Sequence, residues 1–210
     1  MSIERLVAEH YARRNLGSAI LAALEAAGKD LDRLSLDDLA PVDEFHVRGR
    51  PATAELTRAL GLAPSMRVLD VGCGIGGPSR YVAATYDCEV VGIDLTEQYC
   101  EVAAMLAGRV GLGAQVEYHS GNALAMPFDD GAFDAAYTQH VAMNIADKGR
   151  LYAEVWRVLK PGARFGIYDV LQGEGGDVVY PVPWARDTAT SFLVRPGELR
   201  RRSSTPASRS

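Results

Sequence analysis

The spacing of hydrophobic residues changes near residue 66 of the chain. Before that point apolar side chains recur at helical intervals, which predicts α-helices. Gly28 is expected to end one of these helices. Pro51 and Gly61 are expected to begin and end another, because proline suits a first turn and glycine a last one. Residues 30–44 mix charged side chains with isolated leucines and predict a polar connector. Residues 1–60 are therefore predicted to form a helical N-terminal cap.

Beyond residue 66, short β-rich runs alternate with helical patterns. The expected strands are residues 68–71, 88–93, 116–119, 133–138 and 165–170. Thr96 is the expected N-cap of a helix that ends near Val110, and residues 160–162, Lys-Pro-Gly, end the last helix of the series. Strands that alternate with helices pair in parallel and are covered on both faces. The fold class is therefore α/β, a parallel sheet with helices on both faces.

The charge distribution restricts the class of partner. The chain has 210 residues and a net charge of −5, but residues 195–210 contain five arginines against one glutamate. The rest of the chain therefore carries −9, which is a poor match for a phosphate backbone, and a nucleic-acid partner is not expected. The Ser/Arg-rich segment 196–210 has little to bury and is predicted to be a disordered tail.

Membrane, secretory and metal-binding classes are not supported by the sequence. No run approaches the roughly 18–20 apolar residues that cross a bilayer, and the N-terminus has no signal-peptide pattern. The cysteines are Cys73, Cys88 and Cys100, an odd number without metal-ligand spacing. We therefore expect a cytoplasmic protein that binds neither a membrane nor a metal ion.

A glycine-rich turn stands between the first strand and its helix. Gly72, Gly74 and Gly77 satisfy the dinucleotide pattern G-x-G-x-x-G, and Asp94 ends the second strand as a ribose-binding acid does. A nicotinamide-dependent oxidoreductase is therefore one alternative. Asp70, two residues before the first glycine, would repel a pyrophosphate. S-adenosylmethionine carries a sulfonium and an ammonium instead, and an acid at this position favours it.

The motifs around this turn resemble those of the class I S-adenosylmethionine-dependent methyltransferases. The similar segments are residues 68–77, 91–95, 121–128, 133–137 and 157–162. Residues 76–81, 143–148 and 181–185 look like bacterial small-molecule enzymes of the sarcosine/dimethylglycine or quinone-biosynthesis type. The resemblance implies a Rossmann-like, cofactor-binding domain over residues 61–195. It also implies methyl transfer from S-adenosylmethionine to a small-molecule acceptor such as an amine, a phenol or a quinol.

Roles for individual residues follow from their places in these motifs. Gly72, Gly74 and Gly76 would let the backbone approach the methionine part of the cofactor, beside Asp70. Asp94 would accept both ribose hydroxyls. The candidates around the adenine are an amide that would meet the ring edge and three apolar walls: Asn122, Leu95, Ala123 and Leu124.

The transferable methyl group is expected at the carboxyl end of the fourth strand. Gln139 and His140 follow that strand, where ligands of open α/β sheets bind. His140 is the candidate catalytic residue, which would orient or deprotonate the acceptor, although a packing role is equally open. Tyr11 and His46 would either close over the cofactor from the N-terminal helices or simply pack there. Residues from these helices and residues 181–184 are expected to line the acceptor pocket.

The C-terminal part departs from the family pattern. The family's sheet has seven strands, but only 40 residues follow Val170. The expectation is a truncated or frame-shifted C-terminus and a five-stranded sheet with an uncovered edge. An uncovered edge favours self-association, so a homodimer is one expectation. A second alternative follows for function, namely a cofactor-binding protein without turnover.

Overall fold

The computed structural model of the chain describes residues 3–5, 7, 15–44 and 46–204. Between residue 15 and the sheet the described chain forms the helices α1 (Leu16–Ala26), α2 (Leu36–Asp43) and α3 (Arg50–Leu60). The sheet and its helices follow in the order β1 (Arg67–Val71), α4 (Gly77–Tyr86), β2 (Glu89–Asp94), α5 (Glu97–Arg109), β3 (Val116–Ser120), β4 (Phe133–Gln139), α6 (Lys148–Val158), β5 (Leu159–Tyr168) and α7 (Pro196–Ser203). None of the helices in these ranges is long and apolar enough to cross a membrane.

The five strands form one parallel sheet in the order β3-β2-β1-β4-β5. The chain moves outward from β1 through β2 to β3 and then crosses back to β4 on the other side of β1. Such a reversal opens a crevice at the carboxyl ends of the two central strands, and this crevice is where open α/β sheets bind ligands. The predicted α/β class, Rossmann-like architecture and parallel pairing are confirmed.

Both faces of the sheet are buried, which explains why β1 reads as a continuous apolar run. Val68 points into a cluster with α3 and α4, whereas Leu69 and Val71 point into a cluster with α6. Tyr137 of β4 lies in the first cluster and is fully buried. The central strands are therefore held rigidly, and the loops that follow them start from fixed points.

Residues 30–44 are not only the polar connector that the sequence predicts, because helix α2 lies within them. Ser35 and Asp38 form a capping box: the Ser35 hydroxyl accepts a hydrogen bond from the backbone N–H of Asp38, and the Asp38 carboxylate accepts one from the backbone N–H of Ser35 at 2.9 Å. Leu39 is completely buried and gives the short helix an apolar anchor. The missed signal was the Ser-x-x-Asp spacing.

The predicted disorder of residues 196–210 is wrong for residues 196–203, which form α7. Pro196 occupies the first turn, where its missing N–H costs nothing. Leu199 packs against the core cluster around α6, and the Trp156 indole N–H donates to the Ser203 carbonyl at 3.0 Å. The prediction assumed that the segment has little to bury. The contacts of Leu199 and of the Ser203 carbonyl nevertheless hold α7 against α6.

No further strand follows β5 in residues 169–204; Val182 and Ala185 form only an isolated bridge. The described sheet has the five strands that were expected, with β5 at one edge. The division into a cap and a cofactor-binding domain and the homodimer stay predictions.

Candidate functional site

A cavity of about 930 Å³ lies at the carboxyl ends of β1, β2 and β4. This volume is near the top of the roughly 300–1,000 Å³ typical of ligand sites. Ten of the residues singled out in the sequence line it: Asp70, Gly72, Gly74, Asp94, Leu95, Asn122, Ala123, Leu124, Gln139 and His140. Gly76 does not line the cavity, and Tyr11 lies outside the described residues.

The glycines of the turn have different roles. Gly72, Gly74 and Gly76 all have positive φ angles, between 53° and 78°, a conformation that favours glycine. A Cβ on Gly72 would overlap Val141, and one on Gly76 would overlap the Tyr118 hydroxyl. Only Gly74 has open space in the direction of a Cβ, and it faces the cavity. The predicted approach of a ligand therefore fits Gly74 best, whereas Gly76 accommodates protein atoms instead.

Asp70 is buried beneath the turn. One oxygen of its carboxyl group accepts hydrogen bonds from the Ser79 hydroxyl at 2.6 Å and the Tyr137 hydroxyl at 2.9 Å. Burial, only partly offset by these hydrogen bonds, raises the pKa of Asp70 to about 7. The sequence argument treated this group as a full negative charge, and the structure corrects that treatment. At neutral pH the carboxyl is only partly ionised, and a nearby cation would complete its ionisation.

Asp94 connects the turn to the end of β2. One carboxylate oxygen accepts the backbone N–H of Gly74 at 2.9 Å, and the other accepts the backbone N–H of Thr96 at 2.8 Å. Burial raises the pKa of Asp94 above its ordinary value. A carboxylate offers about four acceptor positions in all. The predicted pair of hydrogen bonds to a diol is therefore compatible with the bonds that hold the side chain in place.

Asn122 has a turn-forming role in addition to facing the cavity. Its side-chain oxygen accepts the backbone N–H of Leu124 at 2.9 Å, which makes the local turn that presents residues 122–124. The side-chain nitrogen is the atom that this turn leaves for a ligand. Leu95 and Ala123 line the same part of the cavity, as predicted for an apolar slot.

The end of β4 presents His140 in a constrained conformation. Its φ angle is +56°, and its backbone N–H donates to the Tyr168 carbonyl at 2.8 Å. The imidazole stacks on the Tyr168 ring, with centroids 5.5 Å apart and planes 18° apart. Burial and the adjacent His46 lower the pKa of His140 to about 4. His140 therefore faces the cavity as a neutral ring at physiological pH.

Gln139 binds protein groups. Its amide nitrogen lies 3.2 Å from His46 Nε2 and donates to the Thr53 hydroxyl at 3.3 Å. Gln139 is 8% exposed, and its contacts join the end of β4 to helix α3. The predicted contact between Gln139 and a cofactor stays a prediction.

A buried ion pair that the sequence did not reveal holds the glycine turn against α2. The guanidinium of Arg80, 0% exposed, contacts the Asp43 carboxylate at 2.5 Å and donates to the Ile75 carbonyl at 2.8 Å. Gly77 allows this approach, because a Cβ there would overlap the backbone of Asp43. Burial raises the pKa of Asp43 to about 6. The partners are 37 residues apart, so no local motif indicates them.

The far wall of the cavity is anchored by two buried polar side chains. Asn144 donates to the carbonyls of Trp184 at 2.9 Å and Thr190 at 2.7 Å. Lys148 is 3% exposed and donates to three backbone carbonyls: Ala142, Ile145 and Phe192. These contacts bring Pro183 and Trp184 to the cavity, while Ile3, Val7 and Leu16 line it from the N-terminal part. Both segments that were expected to contribute to an acceptor pocket therefore line this cavity.

The sequence comparisons agree with this geometry. Residues 69–167, from the first strand to the fifth, match the family model described as a methyltransferase domain. The matched segment has the fold of class I methyltransferases. Sterol 24-C-methyltransferase of Aspergillus fumigatus is 38% identical over 122 residues, which are 58% of this chain and 32% of that protein. The chain spans about a third of the length of the curated relatives it matches.

Solved structures share the fold. The phosphoethanolamine N-methyltransferase 2 of Haemonchus contortus, in complex with S-adenosyl-L-methionine, has a TM-score of 0.68 and 23% identity. The alignment covers 77% of this chain and 37% of that one, and this likeness concerns the fold alone. The geranyl diphosphate C-methyltransferase of Streptomyces coelicolor, in complex with Mg²⁺, geranyl diphosphate and S-adenosyl-L-homocysteine, has a TM-score of 0.54 and 28% identity. That alignment covers 56% of this chain and 44% of the other.

Proposed function

We propose that the chain binds S-adenosylmethionine in this cavity and transfers its methyl group to a small-molecule acceptor. The observation that carries the proposal is the convergence of Gly74, Asp70 and Asp94 on one cavity at the strand-order reversal. Gly74 offers open backbone, and the two acids offer oxygens to a cation and a diol. The family match favours methyl transfer over the nicotinamide alternative that the glycines alone leave open.

Each part of the cofactor has a complementary part of the cavity. The ribose would bind Asp94, and the adenine would enter the slot of Leu95, Asn122 and Ala123. The ammonium of the methionine part would lie on the side of Asp70 and Gly74. When bound, the cofactor supplies an electrophilic methyl group on a sulfonium, an already activated leaving group. The protein then has to align the acceptor and exclude water.

His140 would accept or orient the proton that the acceptor loses. An amine must be deprotonated before attack, a phenol or quinol must ionise, and a carbon acceptor loses a proton to complete the substitution. A neutral imidazole at the cavity wall suits each case, because it has an unprotonated nitrogen at physiological pH.

The acceptor that fits the lining best is a largely apolar molecule. The wall beyond His140 consists mainly of apolar side chains: Val141, Met143, Ile145, Val170, Pro183 and Trp184. Relatives named as sterol and geranyl diphosphate C-methyltransferases support an apolar acceptor methylated on carbon. Amines, phenols and quinols stay within the proposal, since the sequence resemblance points to them.

Binding of S-adenosylhomocysteine, measured by isothermal titration calorimetry, tests the cofactor assignment. We expect Asp94→Ala to weaken binding by at least about 100-fold, because a buried diol would lose both acceptors. Asp129→Ala, which changes an exposed aspartate outside the cavity, is the matched control and should bind like the wild type. Binding of NAD without binding of S-adenosylhomocysteine would reject the proposal.

A screen at saturating cofactor then tests turnover, with S-adenosylhomocysteine production as the readout. The panel should contain sterols and isoprenoid alkenes, phenols, quinols and amines. We expect product with the apolar members. Tight cofactor binding without product in any class would favour the alternative of a binding protein without turnover.

A further inference from the structure

A cluster of polar and aromatic side chains joins the end of α2 to the ends of β4 and β5. Glu44 and His46 lie in the connection between α2 and α3, His140 follows β4, and Tyr168 ends β5. His46 and His140 both line the cavity. The proposed function gives a chemical role to His140 but none to His46.

His46 is held by acceptors on both sides of its ring. Nε2 lies 2.6 Å from a carboxylate oxygen of Glu44, and Nδ1 lies 3.3 Å from the Val47 carbonyl oxygen. The side chains of His46 and Glu44 are each only 5% exposed. A ring with a carboxylate at one nitrogen and a carbonyl at the other is suited to donate from both, as the imidazolium. Nε2 also lies 3.2 Å from the Thr53 hydroxyl and from the Gln139 amide nitrogen, so both ring nitrogens of His46 are engaged with protein groups.

His140 differs in each of these respects. Its imidazole has no hydrogen-bond partner among the described residues, and the ring is fixed by aromatic contacts instead. Tyr168 stacks on one side, and the His46 ring meets it edge-on with centroids 5.9 Å apart. The Tyr168 hydroxyl donates to the Val47 carbonyl at 3.2 Å. The loop that carries His46 therefore also fixes the ring on which His140 rests.

We propose that Glu44 and His46 form an ion pair that positions His140 and keeps its imidazole unprotonated, with a ring nitrogen available to the acceptor. His46 and Glu44 are positioning residues, and His140 is the group that touches the acceptor. This inference rests on the proposed function, but the ion pair and its effect on His140 exist without cofactor or acceptor. They can be measured in the ligand-free chain.

Other charged groups lie near Glu44 and His46. The titratable and charged groups that interact with Glu44, His46, His140 or Tyr168 include Asp43, Arg48, Arg50 and Asp70. Arg50 Nε lies 3.8 Å from the second carboxylate oxygen of Glu44, and Arg48 acts on Tyr168. His46 is the group that lowers the pKa of His140 electrostatically and whose ring contacts the His140 ring, so its removal should have the largest effect on the His140 midpoint.

Nuclear magnetic resonance titration of the histidine C2–H signals measures the effect. The chain has four histidines, so single substitutions assign every signal. In the wild type we expect the His140 signal to titrate near pH 4. In His46→Gln the midpoint of His140 should rise by roughly 0.5–2 pH units, the range for a unit charge about 6 Å away at effective dielectric constants between about 80 and 20.

Two further variants distinguish the loss of the His46 charge from a structural disturbance around His140. Glu44→Gln/His46→Gln removes both charges and should give a His140 midpoint above that of the wild type but below that of His46→Gln, because no unpaired carboxylate remains. His119→Gln is the control: its ring pairs with Glu117 outside the cavity, and it should leave the His140 midpoint unchanged. Thermal melts of all variants report whether the fold is retained.

The outcomes separate the inference from the proposed function. A His140 midpoint near 6.5 in the wild type, or a shift of that midpoint below about 0.3 units in a folded His46→Gln, would each overturn the inference. The wild-type His140 midpoint decides the case even if His46→Gln does not fold, provided that a substitution of His140 itself assigns the signal. If an acceptor is turned over, the acid limb of the kcat profile should move up by the same amount as the His140 midpoint. Failure of turnover alone bears only on the proposed function.

Discussion

Replacing Asp70 by asparagine should make the protein more stable at alkaline pH. The carboxyl group is 2% exposed, and its neighbours within hydrogen-bonding distance are the hydroxyls of Ser79 and Tyr137. Both can donate equally well to an amide oxygen. The substitution therefore keeps the shape and the hydrogen bonds and removes only the ability to ionise.

The magnitude follows from the pKa of Asp70. Burial raises it to about 7 in the folded chain, against about 3.9 in an unfolded one. The folded state thus binds the proton more tightly, and its stability falls as pH rises from about 4 to about 7. At pH 5 the stability lost corresponds to about one unit of the pKa difference, and at pH 8.5 it corresponds to about three. The remaining two units correspond to about 2.7 kcal/mol, at about 1.36 kcal/mol per unit.

Urea unfolding of the wild type and Asp70→Asn at pH 5 and pH 8.5 measures this difference. The stability of the variant relative to the wild type should increase by about 2.7 kcal/mol between the two pH values. Other titrating groups are common to both proteins and cancel. Asp129→Asn, at an exposed position, is the control and should show no pH-dependent difference.

The reasoning is refuted if the two proteins lose stability in parallel between these pH values. The same variant also reports on cofactor binding. If the ammonium of S-adenosylhomocysteine binds near Asp70, the wild type should gain affinity as pH rises through about 7, because the ionised carboxylate attracts the cation. Asp70→Asn should lack that gain.

Three other substitutions test packing, the far wall and chemistry. Gly77→Ala should destabilise the chain by about 1–3 kcal/mol through overlap with the Asp43 backbone, whereas Gly108→Ala, at an exposed position of α5 with open space for a Cβ, should not; equal denaturation midpoints would contradict this. Asn144→Ala should speed limited proteolysis within residues 170–195, because the bonds to the Trp184 and Thr190 carbonyls are lost; an unchanged cleavage rate would argue against the anchor. His140→Ala should reduce turnover about 10²–10⁴-fold at unchanged S-adenosylhomocysteine affinity; full activity would remove its assignment as the catalytic residue.

The fold was predictable because its signals are local. Each strand is a short apolar run, and each helix between strands has its own periodicity, so alternation alone indicates a parallel sheet. What was missed depended on single contacts. Helix α2 depends on the capping box of Ser35 and on the burial of Leu39, and α7 depends on Leu199 and the Trp156 indole. Such short helices have too few residues for periodicity to show.

The candidate site was predictable where one segment supplies it. The glycine turn, Asp94 and residues 122–124 were found because each is contiguous in sequence and ends a strand. The pair of Glu44 and His46 was not found, since its importance lies in contacts with Gln139 and Tyr168, which are about 90 and more than 120 residues away. The pKa of Asp70 was likewise invisible, because ionisation depends on burial.

The divided roles of the glycines show why this turn cannot identify its cofactor from spacing alone. Gly72, Gly76 and Gly77 lack a Cβ because Val141, Tyr118 and the Asp43 backbone occupy that space, so protein packing explains them without any ligand. Only Gly74 leaves room for a ligand. The choice between a diphosphate and a sulfonium must then depend on the charges that line the cavity. With Asp70 and Asp94 both in that lining, ligand binding should favour a cation there, since an anion would have to approach two buried acids.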